Sequence, residues 1–390
     1  MLSTVQFAFQ RAICYIIDNM LIFQRTIEAR IMESLFKDKM IAILGPRQSG
    51  KTTLAKKLIN SYGIDGAYWD CQLADVRKHF IVGKPDELLP LVKGKKIVVF
   101  DEAQTIQDIG TILKVFHDTY PDTQIIATGS SSFDLSNKIN EPMTGRIFEF
   151  TLLPLSLDEI KKFRPVTMND LHDLMLFGSY PAVVAASSTE EKKIILKNIA
   201  TQYLYKDVFI FEAIRNPRIF EDLVRLLALQ IGSLVSLAEL AAHLGISRSV
   251  VQKYLRLLEQ SFIIKVVHPF SNNPRTELKK AFKVFFLDIG VRNAVVDMDT
   301  PLGNRNDVGF IFENYFMSER IKEGVNNFVF PPEIMFWRTR KGLEVDVVEK
   351  KGSVIDAYEC KWGDTDVVFT YFLKLYPQAT THIITPNDLL

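Results

Sequence analysis

One short segment constrains the fold of this chain more than any other feature. Residues 45–52 read Gly-Pro-Arg-Gln-Ser-Gly-Lys-Thr and match the phosphate-loop pattern G-x-x-x-x-G-K-S/T at every defined position. The apolar run MIAIL lies directly before the segment, and the helix-forming stretch TLAKKLI follows it. A strand, a glycine-rich loop and a helix in this order place backbone N–H groups around a bound phosphate. The pattern therefore predicts a nucleotide-binding α/β domain.

The residues of this loop are predicted to divide the binding of ATP and Mg²⁺ among them. We expect Lys51 to reach the β- and γ-phosphates and the hydroxyl of Thr52 to bind Mg²⁺. The complete predicted ATP-binding set is Gly45, Pro46, Arg47, Gln48, Ser49, Gly50, Lys51, Thr52 and Thr53.

A second motif, IVVFDE, occupies residues 97–102 and ends in two carboxylates. Its β-branched run predicts a buried strand with Asp101 at the carboxyl end. We expect Asp101 to hold Mg²⁺ in its outer shell and Glu102 to activate the attacking water as general base. An acidic strand-end turn is the alternative interpretation, but a complete phosphate loop upstream favours the catalytic one.

Two further residues are candidates for contact with the γ-phosphate. The strand-like run QIIATG leads directly to Ser130, which can act as a sensor between the other two motifs. Arg146 is a candidate arginine finger or γ-phosphate sensor, because a guanidinium stabilises spreading phosphoryl charge. A plain strand-end turn and a structural arginine are the respective alternatives.

Composition and charge narrow the class of protein. A hydrophobic fraction of 47% and a charged fraction of 24% exclude wholesale disorder, a collagen-like repeat and a coiled-coil rod. The net charge is only +1, so any nucleic-acid surface must be a local patch. Three scattered cysteines indicate free thiols in a reducing compartment. The apolar run at residues 12–23 is too short to span a bilayer, so we expect a soluble helix or extension, a cytoplasmic protein and no membrane partner.

Several segments lie in an order that is typical of one known family. They are GPRQSGKTT, VVFDEAQ, ATGSSS, MTGRIFEFTLLPLS, FGSYPAVV, KVFFLDIGVRNAV and GFIFENYF. Together they resemble a family of prokaryotic AAA-type ATPases with a C-terminal domain of unassigned function. The resemblance covers most of residues 20–390 and implies an additional-strand P-loop fold, ATP hydrolysis and a C-terminal part linked to DNA or a partner. It also makes Met20 the expected start and residues 1–19 an extension.

A helix-turn-helix pattern lies in the middle of the chain. Ser236-Leu-Ala-Glu239 predicts a capping box that opens one helix, Gly245 ends it, and Ser247 can cap a second helix. Two strand-like runs follow and could form a wing. Cationic and polar residues remain for a DNA major groove on the second helix, and they are Arg248, Ser249, Gln252, Lys253 and Arg256.

The charge of this region supports a duplex DNA partner. Basic residues exceed acidic ones by about six between residues 245 and 285, inside a nearly neutral chain. They are Arg248, Lys253, Arg256, Lys265, Arg275, Lys279, Lys280 and Lys283, against Glu259 and Glu277. A packing or protein-contact module is the alternative interpretation.

The C-terminal region carries a D…ExK pattern. Glu359 and Lys361 lie on the same face of a predicted strand, and Asp346 lies on the preceding one. With Glu313 from an upstream helix, the carboxylates are candidate Mg²⁺ ligands, and Lys361 would orient a water or steady phosphate charge. The pattern and the order helix, strand, strand, strand resemble the PD-(D/E)xK nucleases. Chance occurrence in a β-rich segment, or an inactive binding module, are the alternatives.

These patterns predict an α/β protein with a P-loop NTPase parallel-sheet core, a helical lid, a winged helix and an α/β restriction-endonuclease-like C-terminal domain. The predicted regions are an N-terminal helical extension (1–35), the ATPase core (36–155), the lid (156–231), the winged helix (232–290) and the nuclease-like domain (291–390).

The predicted function is an ATPase that couples Mg-ATP hydrolysis to conformational change in DNA-associated C-terminal domains. One alternative is a nucleotide-dependent switch that binds a protein partner, and another is an ATP-gated, metal-dependent DNA nuclease. A homo-oligomer and a monomer both remain open.

Overall fold

The structure is a computed structural model that describes residues 16–17, 20–21, 23–61, 65–83, 88–130, 139, 143–202, 216–270, 282–298, 300–363 and 369–390. The chain divides into two compact units, Met1–Val166 and Thr167–Leu390. The sequence predicted a change from core to lid between residues 155 and 156. The observed division lies further along the chain, between Val166 and Thr167.

The N-terminal apolar run contains a small hairpin. Strands β1 (Ile16–Ile17) and β2 (Met20–Leu21) pair antiparallel. A soluble helix or an extension was expected for this run, and the helical alternative is wrong for the residues that are described. Consecutive β-branched isoleucines favour an extended backbone, which gives a physical reason for the difference.

Five parallel strands form the sheet of the first unit. They are β3 (Met40–Leu44), β4 (Gly66–Asp70), β5 (Ile97–Asp101), β6 (Gln124–Gly129) and β7 (Ile147–Thr151). Their order is β4-β5-β6-β3-β7, and every neighbouring pair is parallel. The predicted parallel sheet is therefore confirmed. Strand β6 lies between β3 and β5, which is the additional strand that the resemblance implied.

Helices cover this sheet, and the loops at the carboxyl ends of its strands carry the site. The α-helices are α1 (Ile27–Ser34), α2 (Lys51–Asn60), α3 (Ala74–Arg77), α4 (Ile109–Thr119) and α5 (Leu157–Phe163). Ile27 and Ile31 of α1 are buried in the same core cluster as Ile41 and Ile43 of β3. Helix α1 therefore packs as part of the first unit, whereas the sequence predicted it within an N-terminal extension.

The second unit begins with helices. They are α6 (Met168–Phe177), α7 (Pro181–Ala185), α8 (Thr189–Gln202), α9 (Pro217–Leu229), α10 (Leu237–Leu244), α11 (Arg248–Gln260) and α12 (Ile289–Val295). A capping box between Thr167 and Asp170 starts α6. The predicted helical character of this part of the chain is confirmed where the structure describes it.

The turn between α6 and α7 lies in the segment FGSYPAVV and contacts Asp288 of the segment KVFFLDIGVRNAV. Two of the segments in the family resemblance therefore meet in the structure. Gly178 has φ of 74°, and a Cβ atom there would lie 2.0 Å from an Asp288 carboxylate oxygen. That carboxylate accepts hydrogen bonds from the backbone N–H of Ser179 at 2.8 Å and of Val291 at 3.1 Å. Because Asp288 also starts α12, the glycine lets this turn approach the end of a second helix closely.

Helices α10 and α11 form the predicted pair, and a hairpin follows them. Strand β8 (Ile264–Val267) pairs antiparallel with β9 (Lys283–Phe286), and Val235 forms a bridge with Phe282. The Ser247 side chain caps α11 as predicted. Ser236 is the N-cap residue of α10, but the predicted capping box is wrong because its side chain makes no capping hydrogen bond.

A mixed sheet and two helices complete the chain. The long helix α13 (Val308–Asn327) is followed by β10 (Glu333–Arg338), β11 (Glu344–Lys351), β12 (Val354–Cys360), α14 (Thr370–Leu375) and β13 (Thr380–Ile384). The strand order is β10-β11-β12-β13, with the first three antiparallel and β13 parallel to β12. Among the helices described, none has both the length and the apolar character needed to cross a lipid bilayer.

Candidate nucleotide-binding site and nucleic-acid surface

The phosphate loop lies between β3 and α2, as its sequence predicts. Gly45 follows β3 with φ of 154°, and a Cβ atom there would lie 2.1 Å from the Leu152 carbonyl oxygen. Only glycine permits this approach. Gly50, in the left-handed region at φ of 98°, is the N-cap residue of α2. The loop therefore ends at a helix N-terminus, where backbone N–H groups favour an anion.

Lys51 is the first residue of α2 and is buried, with 3% of its surface exposed. Its ammonium group donates to the carbonyl oxygens of Gly45 and Pro46, both at 2.8 Å. A carboxylate oxygen of Glu102 lies 3.9 Å from the same nitrogen. The predicted phosphate-binding lysine thus lies beside the predicted general base.

Asp101 is the centre of a network of hydroxyl groups at the end of β5. One carboxylate oxygen, Oδ2, accepts from Thr52 Oγ1 at 2.7 Å and from the Tyr68 hydroxyl at 2.6 Å. The other, Oδ1, accepts from Thr128 Oγ1. A loop hydroxyl and a carboxylate in direct contact form a donor set that suits Mg²⁺ when phosphate oxygens are also present. The residues present therefore fit the metal.

Sequence reasoning missed Tyr68 and Thr128. Burial and the hydrogen bond to Asp101 raise the pKa of the Tyr68 phenol, so it remains a neutral donor. Thr128 also accepts a hydrogen bond from the Glu102 backbone N–H at 2.9 Å. Thr128 lies near the carboxyl end of β6, which was an available signal because parallel strands end at one edge of the sheet. Tyr68 lies in the middle of β4, so its position offered no such signal.

Glu102 has a left-handed backbone, with φ of 52° and ψ of 46°. The side-chain amide of Gln104 donates to Glu102 Oε2 at 2.7 Å and to Ser130 Oγ at 3.2 Å. The predicted base and the predicted sensor therefore share one neighbour, and all three residues are buried. Gln104 was missed by the sequence reasoning, although it follows Glu102 in the same motif.

The structure does not bring Arg146 to the phosphate loop of its own chain. Its backbone carbonyl accepts from the N–H of Met40, at the amino end of β3, whereas the loop follows the carboxyl end. Its side chain forms an ion pair of 3.3 Å with Asp118 on α4. Five strand residues separate the two edges of the sheet, a span of roughly 15 Å at the usual rise per residue.

The second helix of the predicted DNA-binding pair, α11, has two distinct faces. The apolar pattern predicts a buried face of Val250, Val251, Tyr254, Leu257 and Leu258, and all of these are buried except Val250, which is half-buried. The residues predicted to face a major groove are all exposed, and they are Arg248, Ser249, Gln252, Lys253 and Arg256. Helix α11 thus presents three cationic and two polar side chains to solvent.

One of the basic residues counted between residues 245 and 285, Lys283, is not available to contact DNA. Lys283 is 1% exposed, and its ammonium forms ion pairs with Glu313 at 2.7 Å and Glu344 at 2.5 Å. Burial alone would lower the pKa of Lys283, but these carboxylates outweigh it and raise that pKa. Lys283 therefore adds nothing to a DNA-binding surface. Arg275, Glu277, Lys279 and Lys280 lie outside the described residues.

The predicted nuclease-like residues are brought together in part. Asp346 of β11 accepts from the Cys360 backbone N–H at 2.8 Å, and Lys361 donates to Glu359 at 2.9 Å. Burial raises the pKa of both Asp346 and Glu359, and the Asp346 charge raises that of Glu359 further. Asp346 and Glu359 lie on adjacent strands, as predicted, and Lys361 directly follows β12.

Glu313 does not complete the expected metal site, because its carboxylate bonds to Lys283. Within the residues that the structure describes, no three His, Cys, Asp or Glu side chains are grouped to hold a metal ion. Asp346 and Glu359 remain the candidate metal ligands, and a site that also includes Glu313 stays a prediction.

Comparisons with known proteins divide the chain close to Val166, where the first compact unit ends. Residues 37–161 match the family described as AAA domain, residues 168–302 match a domain of unknown function (DUF8612), and residues 308–388 match another (DUF4143). An uncharacterized protein of Methanocaldococcus jannaschii is 27% identical over 372 residues, covering 88% of this chain and 80% of that protein. An uncharacterized protein of Mycobacterium tuberculosis is 26% identical over 340 residues, covering 86% and 73%.

A solved structure of AMPPCP-bound DnaA from Aquifex aeolicus covers 64% of this chain and 92% of that one, at 15% identity. Its TM-score of 0.33 is too low to carry an argument. The match to the AAA domain family and the geometry of the phosphate loop both indicate a P-loop domain within residues 37–161. Residues 37–161, which contain the P-loop sequence, thus match the AAA domain family, and residues 308–388 match DUF4143.

Proposed function

We propose that this protein is a Mg²⁺-dependent ATP hydrolase whose turnover is coupled to DNA contacts made by the second unit. One observation carries the ATPase proposal. Thr52 Oγ1 lies 2.7 Å from Asp101 Oδ2, with Lys51 and Glu102 beside this contact. A hydroxyl from the phosphate loop and a carboxylate from β5 thus meet where P-loop NTPases hold the ATP-bound metal.

The chain's own groups divide the work of hydrolysis. Lys51, which bonds the carbonyls of Gly45 and Pro46, exchanges these acceptors for the β- and γ-phosphates. Glu102 takes the proton of the attacking water, and the Gln104 amide orients its carboxylate. Ser130 contacts the γ-phosphate through its hydroxyl. Bound Mg²⁺ neutralises charge that develops on the phosphate oxygens.

Steady-state ATP turnover tests this mechanism, with Lys51→Ala as the blank. Glu102→Gln should lower kcat by about 10²–10⁴-fold and retain ATP binding, because the amide cannot accept the proton. Glu149→Gln, at an exposed position of β7, is the matched control and should leave kcat unchanged. Equal turnover by Glu102→Gln and wild type would remove the role of Glu102. No wild-type turnover above the blank would leave a nucleotide-binding switch.

The exposed face of α11 supports duplex DNA as the partner of the second unit. Arg248, Lys253 and Arg256 lie exposed on one helix, and Lys265 of β8 is also exposed. Cations on a helix that fits a major groove provide the phosphate neutralisation that DNA binding needs. Stimulation of ATP turnover by duplex DNA, lost at high salt, is the expected result. Turnover indifferent to DNA would favour the alternative of a switch that binds a protein partner.

The contacts around β12 favour a second candidate function, an ATP-gated DNA nuclease. Asp346 and Glu359 are two carboxylates on adjacent strands, and Lys361 is bonded to Glu359. Two carboxylates and a lysine match the groups needed for metal-assisted phosphodiester hydrolysis. Cleavage of DNA with Mg²⁺ that is lost in Asp346→Ala and in Lys361→Ala is the expected sign of this activity. Cleavage retained in both variants would reject it.

Arg146 is proposed to act on the nucleotide of a second copy of the chain. It lies at the amino end of β7, away from its own phosphate loop, and 39% of its side chain is exposed. An exposed arginine at the opposite edge of the sheet can reach a site only across an interface. A homo-oligomer is therefore part of this proposal.

A further inference from the structure

Arg25 is a buried arginine that the sequence analysis did not assign to the site. It lies immediately before Thr26, the N-cap residue of α1, and 7% of its surface is exposed. A buried guanidinium is stable only when its N–H groups are bonded. The partners of those groups therefore show what the side chain holds in place.

Three nitrogens of the Arg25 guanidinium bond three different segments of the first unit. Nη1 donates to the Ser49 carbonyl in the phosphate loop at 2.7 Å, and Nη2 donates to the Leu153 carbonyl at 2.6 Å. Nε donates to a carboxylate oxygen of Glu159 on α5 at 3.1 Å. One planar side chain thus joins the loop, the segment after β7 and the last helix of the unit.

The Glu159 side chain has no exposed surface, and its carboxylate is held by hydrogen bonds from the protein backbone. Oε1 accepts from the Thr26 backbone N–H at 2.7 Å, and Oε2 accepts from the Ser156 backbone N–H at 3.0 Å. A reciprocal bond from the Glu159 N–H to Ser156 Oγ completes the capping box of α5. The carboxylate is therefore held by two segments before Arg25 adds its own bond.

The contact with the Ser49 carbonyl acts on phosphate binding through the geometry of the peptide bond. In a trans peptide the C=O and the following N–H point in opposite directions. Holding the Ser49 oxygen towards Arg25 therefore turns the Gly50 N–H away from Arg25. No partner is described for Ser49 Oγ, which is also buried. A buried hydroxyl without a described partner supports the binding of a polar ligand at this loop.

We propose that Arg25 is a positioning residue for the phosphates of the nucleotide and that its ion pair with Glu159 fixes the loop to α5. This proposal rests on the proposed binding of ATP at the loop. Helix α5 ends at Phe163, just before the second unit begins at Thr167. The loop that contacts the phosphates is thus tied to the segment that leads into the second unit.

Arg25→Lys is the decisive variant. Lysine keeps the positive charge beside Glu159, but a single ammonium cannot bond three divergent acceptors as a planar guanidinium does. We expect the KM for ATP and the dissociation constant of a fluorescent ATP analogue to rise about 10- to 100-fold, the range for a lost bond to a charged group. The kcat should change less than about threefold, because no group that touches the reacting atoms is altered.

Glu28→Gln is the matched control. Glu28 of α1 forms an ion pair of 2.8 Å with Lys57 of α2, so it also joins the N-terminal segment to the loop helix. It makes this contact without bonding the loop itself. We expect Glu28→Gln to leave the KM and the dissociation constant unchanged. An equal loss of affinity in both variants would show a merely structural effect and overturn the proposal.

A nucleotide-free measurement separates this inference from the proposed function. Hydrogen–deuterium exchange of the backbone amides of Gly45 and of residues 47–50 should be at least about tenfold faster in Arg25→Lys than in wild type. Faster exchange together with weaker binding of the ATP analogue would support the role of Arg25 even if the wild-type protein turns over no ATP. Unchanged exchange and unchanged affinity in folded Arg25→Lys protein would overturn it.

Discussion

Asp101 shows how single residues set the chemistry of this site. Its two carboxylate oxygens accept from Thr52, Tyr68 and Thr128, which come from three different elements. Hydroxyl donors around a carboxylate fix its orientation towards a metal and limit its freedom to rotate. The position of Asp101 therefore depends on side chains that lie far from it in the chain.

Removal of the Tyr68 hydroxyl tests this orientation. Tyr68→Phe should raise the Mg²⁺ concentration needed for half-maximal ATP turnover by about tenfold, the lower end of the usual effect of losing such a partner. Tyr120→Phe, in the same unit, is the control. A Mg²⁺ dependence that is identical in Tyr68→Phe and wild type would show that Thr52 and Thr128 suffice.

A second residue-scale prediction concerns the stability of the second unit. Lys283→Met leaves the carboxylates of Glu313 and Glu344 without their shared cation, so it should lower the free energy of unfolding by about 3–5 kcal/mol. Lys265→Met breaks only the exposed 4.0 Å pair with Glu259 and should lower it by about 1 kcal/mol or less. Denaturant unfolding measures both, and equal effects would contradict the assigned role of the buried pair.

At the scale of elements, α11 illustrates what an amphipathic pattern can predict. Four of its five predicted apolar positions are buried and its five candidate DNA-binding residues are exposed, as expected from helical periodicity. The Ser247 side chain caps the helix, with the Val250 N–H donating to Ser247 Oγ at 3.4 Å. The free face of α11 is thus fixed by its own sequence, while its ligand is a matter for experiment.

The salt dependence of DNA binding tests this face. The double variant Arg248→Ala, Lys253→Ala should weaken duplex binding and reduce the slope of log K against log salt by about 1.8, which is 0.9 for each lost phosphate contact. Arg218→Ala with Arg225→Ala removes the same charge from exposed positions of α9 and serves as control. If both double variants reduce the slope equally, the effect reflects net charge and α11 is not the DNA-binding element.

At the scale of the whole molecule, the parallel sheet separates two sets of candidate functional residues. The loops at the carboxyl ends of its strands hold Lys51, Asp101 and Glu102. Arg146 lies beside Met40 at the amino ends. A parallel sheet places these two edges on opposite sides of the domain, so one copy of the chain cannot supply both to one nucleotide.

Mixing of two inactive variants tests this arrangement. Lys51→Ala protein has an intact Arg146, and Arg146→Ala protein has an intact nucleotide site. If Arg146 acts between copies, a mixture should recover ATP turnover well above either variant alone, up to about a quarter of wild type for a statistically mixed dimer. A mixture that stays at the sum of its separate components would assign Arg146 to its own chain or to a structural role.

The accuracy of the sequence predictions depends on the range of the interactions involved. The strands β3, β5 and β6, the loop at Gly45 and the helices α10 and α11 follow from patterns within a few residues, and all were predicted. The capping box at Ser236 was wrong, and so was a helix at residues 16–17 and 20–21, the described part of the N-terminal apolar run. Propensity is a weak guide at helix ends and in short apolar runs, where neighbouring segments decide the outcome.

Taken by itself, the sequence determined the strand-loop-helix unit around Lys51, the acidic end of β5 and the two faces of α11. These features depend on backbone propensity and periodicity, which are properties of adjacent residues. Only the tertiary structure decided that Arg25 holds the Ser49 carbonyl, that Tyr68 bonds Asp101 and that Lys283 pairs with Glu313. Each of these contacts joins residues far apart in the chain. Their strength comes from burial, which exists only once the whole domain has folded.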